Sequence, residues 1–185
     1  MGVVKSLGAT PIKSEVLLSD YIGGHEVKKT DAVEQVSTYK ESLALVERLH
    51  RQLLDVVKDE LDRSGHEELT PVQALLIYNI GADEWSAGEL RAKGCYLGSN
   101  VSYNLKKLHE LNYVESKKSN HDKRQLKLRL TQNGHAVREQ LEVMFNRQAN
   151  TVTPVGGIDA DSLSASNKTL LRLERFWSDQ VKFKL

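Results

Sequence analysis

The chain has 185 residues, 39% of them hydrophobic and 28% charged, with a formal net charge of +1, values that fit one compact unit with an added dimerisation layer and exclude a disordered or collagenous chain. No apolar run approaches the roughly 18 residues needed to cross a bilayer, Met1–Leu18 holds no continuous hydrophobic leader, and the single cysteine, Cys95, rules out a disulfide within the chain, so a cytoplasmic setting is expected. The charge is unevenly placed: between Gly98 and Thr131 eight Lys and Arg side chains stand against three Asp and Glu, a local +5 that leaves the remainder acidic, as when one surface faces phosphate.

In chain order, residues 1–30 read as an arm with a short helical piece around Ser14–Tyr21. Residues 31–65 read as a dimerisation helix, because Val33, Val36, Tyr39, Leu43, Val46, Leu49, Leu53, Val57 and Leu61 recur at three- and four-residue steps and line one face. Ala32, Leu45, Leu54 and Val56 widen that stripe beyond what one small domain covers, which points to a second subunit. Ser64 and Gly65 end the helix. Thr70, Pro71 and Gln73 then spell a capping box with proline at the first helical position, and Val72, Leu75, Leu76 and Ile80 form the apolar side up to Gly81. Ser86 and Glu89 repeat the box for a short helix ending near Gly94.

The next helix spans about Ser99–Leu111, with Val101, Leu105, Leu108 and Leu111 inward and Ser99, Asn100, Ser102, Tyr103, Lys106 and Lys107 turned away. Tyr113–Lys118 and Leu126–Leu130 alternate in character and are joined by a charged tip, a hairpin. Thr131 caps a further helix carrying Val137, Leu141, Met144 and Phe145. Residues 151–162, with Pro154, Gly156 and Gly157, read as a linker or bend. A last helix from about Leu163 carries Leu170, Leu171, Leu173, Phe176, Trp177 and Val181. Residues 66–131 therefore read as a winged helix-turn-helix, and residues 132–185 are expected to form C-terminal dimerisation helices. The fold class is mainly α with a small β-hairpin wing.

This order points to double-stranded DNA. A helix fits the major groove, where Asn, Ser, Tyr and Lys side chains reach base edges and phosphates. The hairpin reaches the neighbouring minor groove, whose negative potential favours the guanidinium of Arg124. Asp122-Lys123-Arg124, followed by Leu130-Thr131-Gln132-Asn133-Gly134, resembles the D-x-R wing element and L-T-x-x-G helix start of the multiple antibiotic resistance regulator (MarR) family. The resemblance covers roughly Val33 to Trp177 and implies a homodimer with intertwined terminal helices. Asn112 departs from it, standing where glycine is usual, although Asn tolerates the left-handed conformation. The arm before residue 31 is also longer than typical.

Carried over, the resemblance implies that Arg124 enters the minor groove, Asp122 braces the wing, and residues 99–107 supply major-groove contacts. Each residue also has a plainer reading. Asp122 serves equally as a turn residue, Ser99 and Asn100 as caps, and Tyr103 as a side chain packed onto the wing. Lys117, Lys118, His121 and Lys123 complete the basic wing, either as phosphate contacts or as solvated charge. Cys95 reads as a small buried residue or a redox-sensitive one. The histidines show no metal-ligand spacing, and no phosphate-loop, nucleophile-elbow or zinc-protease string occurs, so no metal, no cofactor and no enzymatic activity are expected. The expectation is a dimeric, nucleoid-associated regulator reading a near-palindromic operator, a repressor, released by a small-molecule effector in a crevice lined by Tyr39, His50 and Tyr78. The alternative is a winged-helix module that docks a protein partner.

Overall fold

A computed structural model describes residues 29–86, 89–90, 99–118 and 126–184. The chain divides into two compact units, residues 1–50 and 51–185. Helix α1, Lys29–Arg63, begins in the first and ends in the second. In the first unit its Val33, Val36 and Leu49 lie exposed to solvent. Thr38 and Ser42 turn their hydroxyls back onto the carbonyls of Glu34 and Thr38 at 2.9 and 3.0 Å, which keeps these polar side chains compatible with a helix interior.

The second unit holds the core. Val57 and Leu61 from the end of α1 pack with Leu69, with helix α2 (Pro71–Ile80), with Val101, Leu105 and Leu108 of helix α3 (Ser99–Glu110), and with Val137, Leu141 and Met144 of helix α4 (Gln132–Gly156). Gly65 closes α1 at φ 75°. The capping box opens α2 as expected: the Thr70 hydroxyl accepts from the Gln73 N–H at 3.3 Å, and the Gln73 amide oxygen accepts from the Thr70 N–H at 3.1 Å. Helix α2 is more enclosed than a one-sided stripe, since Gln73, Ala74, Leu75, Leu76, Ile77 and Ile80 are all buried. The second capping box is also formed, with Ser86 and Glu89 bonded reciprocally at 2.6 and 3.1 Å, while most of the segment expected to be helical after it lies outside the described residues.

Strands β1 (Val114–Lys118) and β2 (Leu126–Leu130) pair antiparallel, with Val114 opposite Leu130 and Glu115 opposite Arg129. Trp85 adds a single bridge to Leu128, exchanging backbone hydrogen bonds of 2.9 and 2.7 Å. Two expectations need correcting. Leu111 is 38% exposed rather than buried, because it lies just past the last helical residue. Residues 151–156 are not a linker but the last turns of α4, which Pro154 interrupts only near its end. There it removes one hydrogen bond. The bend is confined to residues 157–159, with Gly157 left-handed at φ 68°, and helix α5 (Ala160–Phe183) begins three residues before Leu163 because Asp159 caps it through the Ser162 N–H at 2.7 Å. No residue of α5 is buried. Among the described residues no helix is long and apolar enough to cross a membrane.

Candidate nucleic-acid interface

Helix α3 presents the polar face read from its sequence. Val101, Leu105 and Leu108 face the core, while Ser102 and Lys106 are exposed and Tyr103 is 60% exposed, which favours an outward role for the tyrosine over packing on the wing. Ser99 and Asn100 form the first turn of α3. Lys107 flanks the exposed face and pairs with Glu110 at 2.7 Å, with Lys106 3.9 Å from the same carboxylate. That hydrogen bond raises the Lys107 pKa and lowers that of Glu110, so both groups stay charged.

The end of α3 joins the hairpin through one dense backbone junction. Asn112 adopts φ 59°, the left-handed conformation that glycine otherwise supplies. The Asn112 N–H donates to His109 and the Tyr113 N–H to Leu108, at 3.1 and 2.8 Å, which satisfies the last carbonyls of α3 and turns the chain into β1. The Thr131 hydroxyl donates to the Asn112 carbonyl at 2.7 Å and accepts from the Gly134 N–H at 3.2 Å, and the Thr131 N–H donates to the Tyr113 carbonyl at 3.1 Å. A Cβ on Gly134 would stand 2.2 Å from that carbonyl. The L-T-x-x-G string thus has a physical reason: threonine ties the end of α3 to α4, and glycine leaves room for the chain between them.

Not all the basic residues of the segment serve the outer face. Lys127 reaches Glu89 at 2.7 Å, and Arg129 pairs with Glu115 at 2.6 Å and lies 3.8 Å from Glu84. Lys127 lies directly opposite Lys117 in the register, where like charges repel. Its turn towards Glu89 separates them and leaves Lys117 exposed. The Glu89 carboxyl is held down to about 2, chiefly by the Lys127 hydrogen bond and then by the Ser86 N–H. Lys118 sits in β1, whereas His121, Asp122, Lys123 and Arg124 lie outside the described residues, as does Cys95.

Tyr78 belongs to the second unit, where it stacks edge-on against Phe145 at 5.1 Å and donates to Glu142 at 3.0 Å. Tyr39 and His50 belong to the first unit. Among the described residues no cluster of His, Cys, Asp or Glu could hold a metal ion. Three contacts were missed in the sequence. Trp85 extends the hairpin and donates its indole N–H to the Ile80 carbonyl at 2.7 Å; a one-residue bridge is too short to leave a periodic signal, although a tryptophan in an otherwise polar loop was a clue. Gln73 bonds Asn104 on α3 at 3.3 Å. Tyr113 donates to Glu68 and lies 3.2 Å from the His66 ring nitrogen, tying the α1–α2 connection to the junction; no sequence pattern reveals contacts so distant along the chain.

Residues 69–134 match the family model described as a winged helix DNA-binding domain. The chain is 32% identical over 157 residues, 85% of its length and 80% of the relative's, to the exopolysaccharide II synthesis transcriptional activator ExpG of Rhizobium meliloti strain 1021. Its fold is similar to Staphylococcus aureus MarR, solved in complex with salicylate and kanamycin, at TM-score 0.63 and 18% identity over 80% of this chain and 98% of that one. Streptococcus pneumoniae FabT, solved in complex with DNA, gives TM-score 0.61 and 18% identity over 76% and 98%. With the polar-faced α3, the rooted hairpin and the ExpG relative together, the chain belongs to the MarR-like winged-helix family of DNA-binding transcription regulators.

Proposed function

We propose that the protein acts as a homodimer that reads a near-palindromic operator, with α3 in the major groove and the Arg124 tip of the wing in the adjacent minor groove. The observation that carries this reading is the exposed row Ser102, Tyr103 and Lys106 on a helix whose opposite side is locked into the core. Dimerisation is supported by apolar surface that a single chain leaves uncovered: Leu170, Leu171, Phe176 and Val181 on α5 are 46%, 53%, 49% and 81% exposed, far more than scattered surface residues require. Two copies then present two reading helices about 34 Å apart, one turn of the duplex.

The sign of regulation we take from the ExpG relative, an activator, in place of the repression expected from the sequence. Release by a small molecule belongs to the same proposal, on the analogy of the S. aureus neighbour and its bound salicylate and kanamycin. As a transcription regulator the protein works where the DNA lies, at the nucleoid in the cytoplasm.

The test is a binding titration at stated salt, using a duplex that the full-length protein selects from a random-sequence pool. Dimer formation in sedimentation and a symmetric footprint are expected, and Arg124→Ala should weaken binding by about 1 to 3 kcal/mol. A monomer, or equal affinity for every duplex, overturns the reading.

A further inference from the structure

Among the described residues Gln73 is the polar side chain that is buried, at 5% exposure. Burying an amide is unfavourable unless its hydrogen-bonding groups are used, and this one is used twice. Its oxygen accepts from the Thr70 N–H at the head of α2, and its nitrogen donates to the Asn104 Oδ1 of α3 at 3.3 Å. The first bond anchors the amide oxygen to the turn that opens α2, a turn whose geometry the other capping-box bond, from the Gln73 backbone N–H to the Thr70 hydroxyl, holds in place. The second bond therefore extends from an anchored group to the middle of the helix that carries Tyr103 and Lys107 beside Asn104.

Around this bond, α3 meets the core through Val101, Leu105 and Leu108. Apolar contacts are non-directional, so Val101, Leu105 and Leu108 decide which face of α3 turns inward but fix its angle about its own axis less sharply than a directional bond does. Side-chain tips lie about 5 to 6 Å from a helix axis, so a turn of about 20° displaces them by about 2 Å, more than a hydrogen bond tolerates. The same turn would carry Tyr103 and Lys106 off the base edges they address.

We infer that the Gln73–Asn104 hydrogen bond sets the axial rotation of the recognition helix, making Gln73 a positioning residue for sequence discrimination although it is too buried to touch DNA. The inference rests on α3 being the helix that reads DNA. Loss of the bond leaves the lysines in place, so phosphate-driven binding persists while base reading degrades.

The experiment compares full-length wild type, Gln73→Met, Asn104→Ala, Asn104→Asp and the Gln73→Met/Asn104→Ala double variant. Each is titrated against the duplex selected by wild type and against a scrambled duplex of equal length, with thermal unfolding followed in parallel. Gln73→Met and Asn104→Ala should each lower the ratio of the two affinities about tenfold, as for one lost base-pair discrimination. Affinity for the scrambled duplex should stay within about twofold and the salt slope should hold, with no further loss in the double variant. Asn104→Asp keeps the acceptor, so it should preserve the ratio while its added charge weakens both duplexes alike.

An unchanged ratio in folded Gln73→Met overturns the inference, and so does a ratio that responds to Asn104→Ala alone, since Asn104 then reads a base directly. Should Gln73→Met fail to fold, the two Asn104 variants decide: preference lost with alanine and kept with aspartate supports the inference, and equal loss in both overturns it. A wild type that selects no duplex refutes the DNA reading itself before any variant is made, and this inference falls with it.

Discussion

Gly134→Ala is the sharpest perturbation of the junction between α3, the hairpin and α4. The new Cβ would lie 2.2 Å from the Tyr113 carbonyl oxygen and 3.1 Å from the Leu130 Cβ, the first contact roughly 1 Å inside van der Waals separation. That carbonyl cannot move away freely, because it accepts the Thr131 N–H and belongs to a residue whose own N–H is bonded to Leu108. Overpacking of a well-filled site costs about 1 to 3 kcal/mol, and a clash with anchored backbone belongs at the upper end, about 3. Alanine recovers about 1 kcal/mol over glycine in a helix, leaving a net loss of about 2 kcal/mol. For a chain of this length that corresponds to a Tm lower by about 4 to 8 °C. Calorimetry or circular dichroism at one fixed protein concentration measures it, fixed because association shifts apparent stability. An unchanged or raised Tm would mean that helix propensity dominates and that the contact is not tight, which refutes the account of the L-T-x-x-G string given above.

Asn112, at φ 59°, should accept glycine with a change below about 0.5 kcal/mol, whereas Asn112→Val should lose at least about 1 to 2 kcal/mol through the left-handed conformation; equal urea stabilities for the two variants would contradict the assignment. Glu89, held from its ordinary 4.5 down to about 2, contributes stability that is complete above the unfolded value and is lost as pH falls from about 4.5 towards about 2. Carbon-detected NMR titration should place its midpoint far below 4.5, and Lys127→Met should move it partway back, the Ser86 bonds remaining; a wild-type midpoint at the ordinary value counts against the Lys127–Glu89 tie. Replacing Lys106 and Lys107 together by Gln should reduce the slope of log affinity against log salt by about 1.8, two phosphates at about 0.9 each. If the slope holds, those lysines do not contact phosphate.

Much of the helix layout was legible because its signals are local. Thr70-Pro71-x-Gln73 and Ser86-x-x-Glu89 each encode a helix start in the hydrogen-bonding reach of a few side chains, and both boxes are formed. The inward face of α3 followed from 3.6-residue periodicity, as did the two strands from their alternation. The 151–162 segment misled because Pro and Gly composition signals a break without saying which peptide breaks. Pro154 stands so near the end of α4 that its missing hydrogen bond removes little.

The candidate site divides along the same line. Chain order and short-range chemistry alone determined the helix-turn-helix and wing, the caps, and the outward row Ser102, Tyr103 and Lys106. Only the folded arrangement decided that Lys127 and Arg129 are tied to Glu89, Glu84 and Glu115, that Trp85 extends the hairpin, and that Gln73 holds Asn104. The physical reason is range: propensity, capping and periodicity act within a turn or two of backbone, whereas the partner of a charge or a buried amide is chosen by which distant segments the core brings within hydrogen-bond distance.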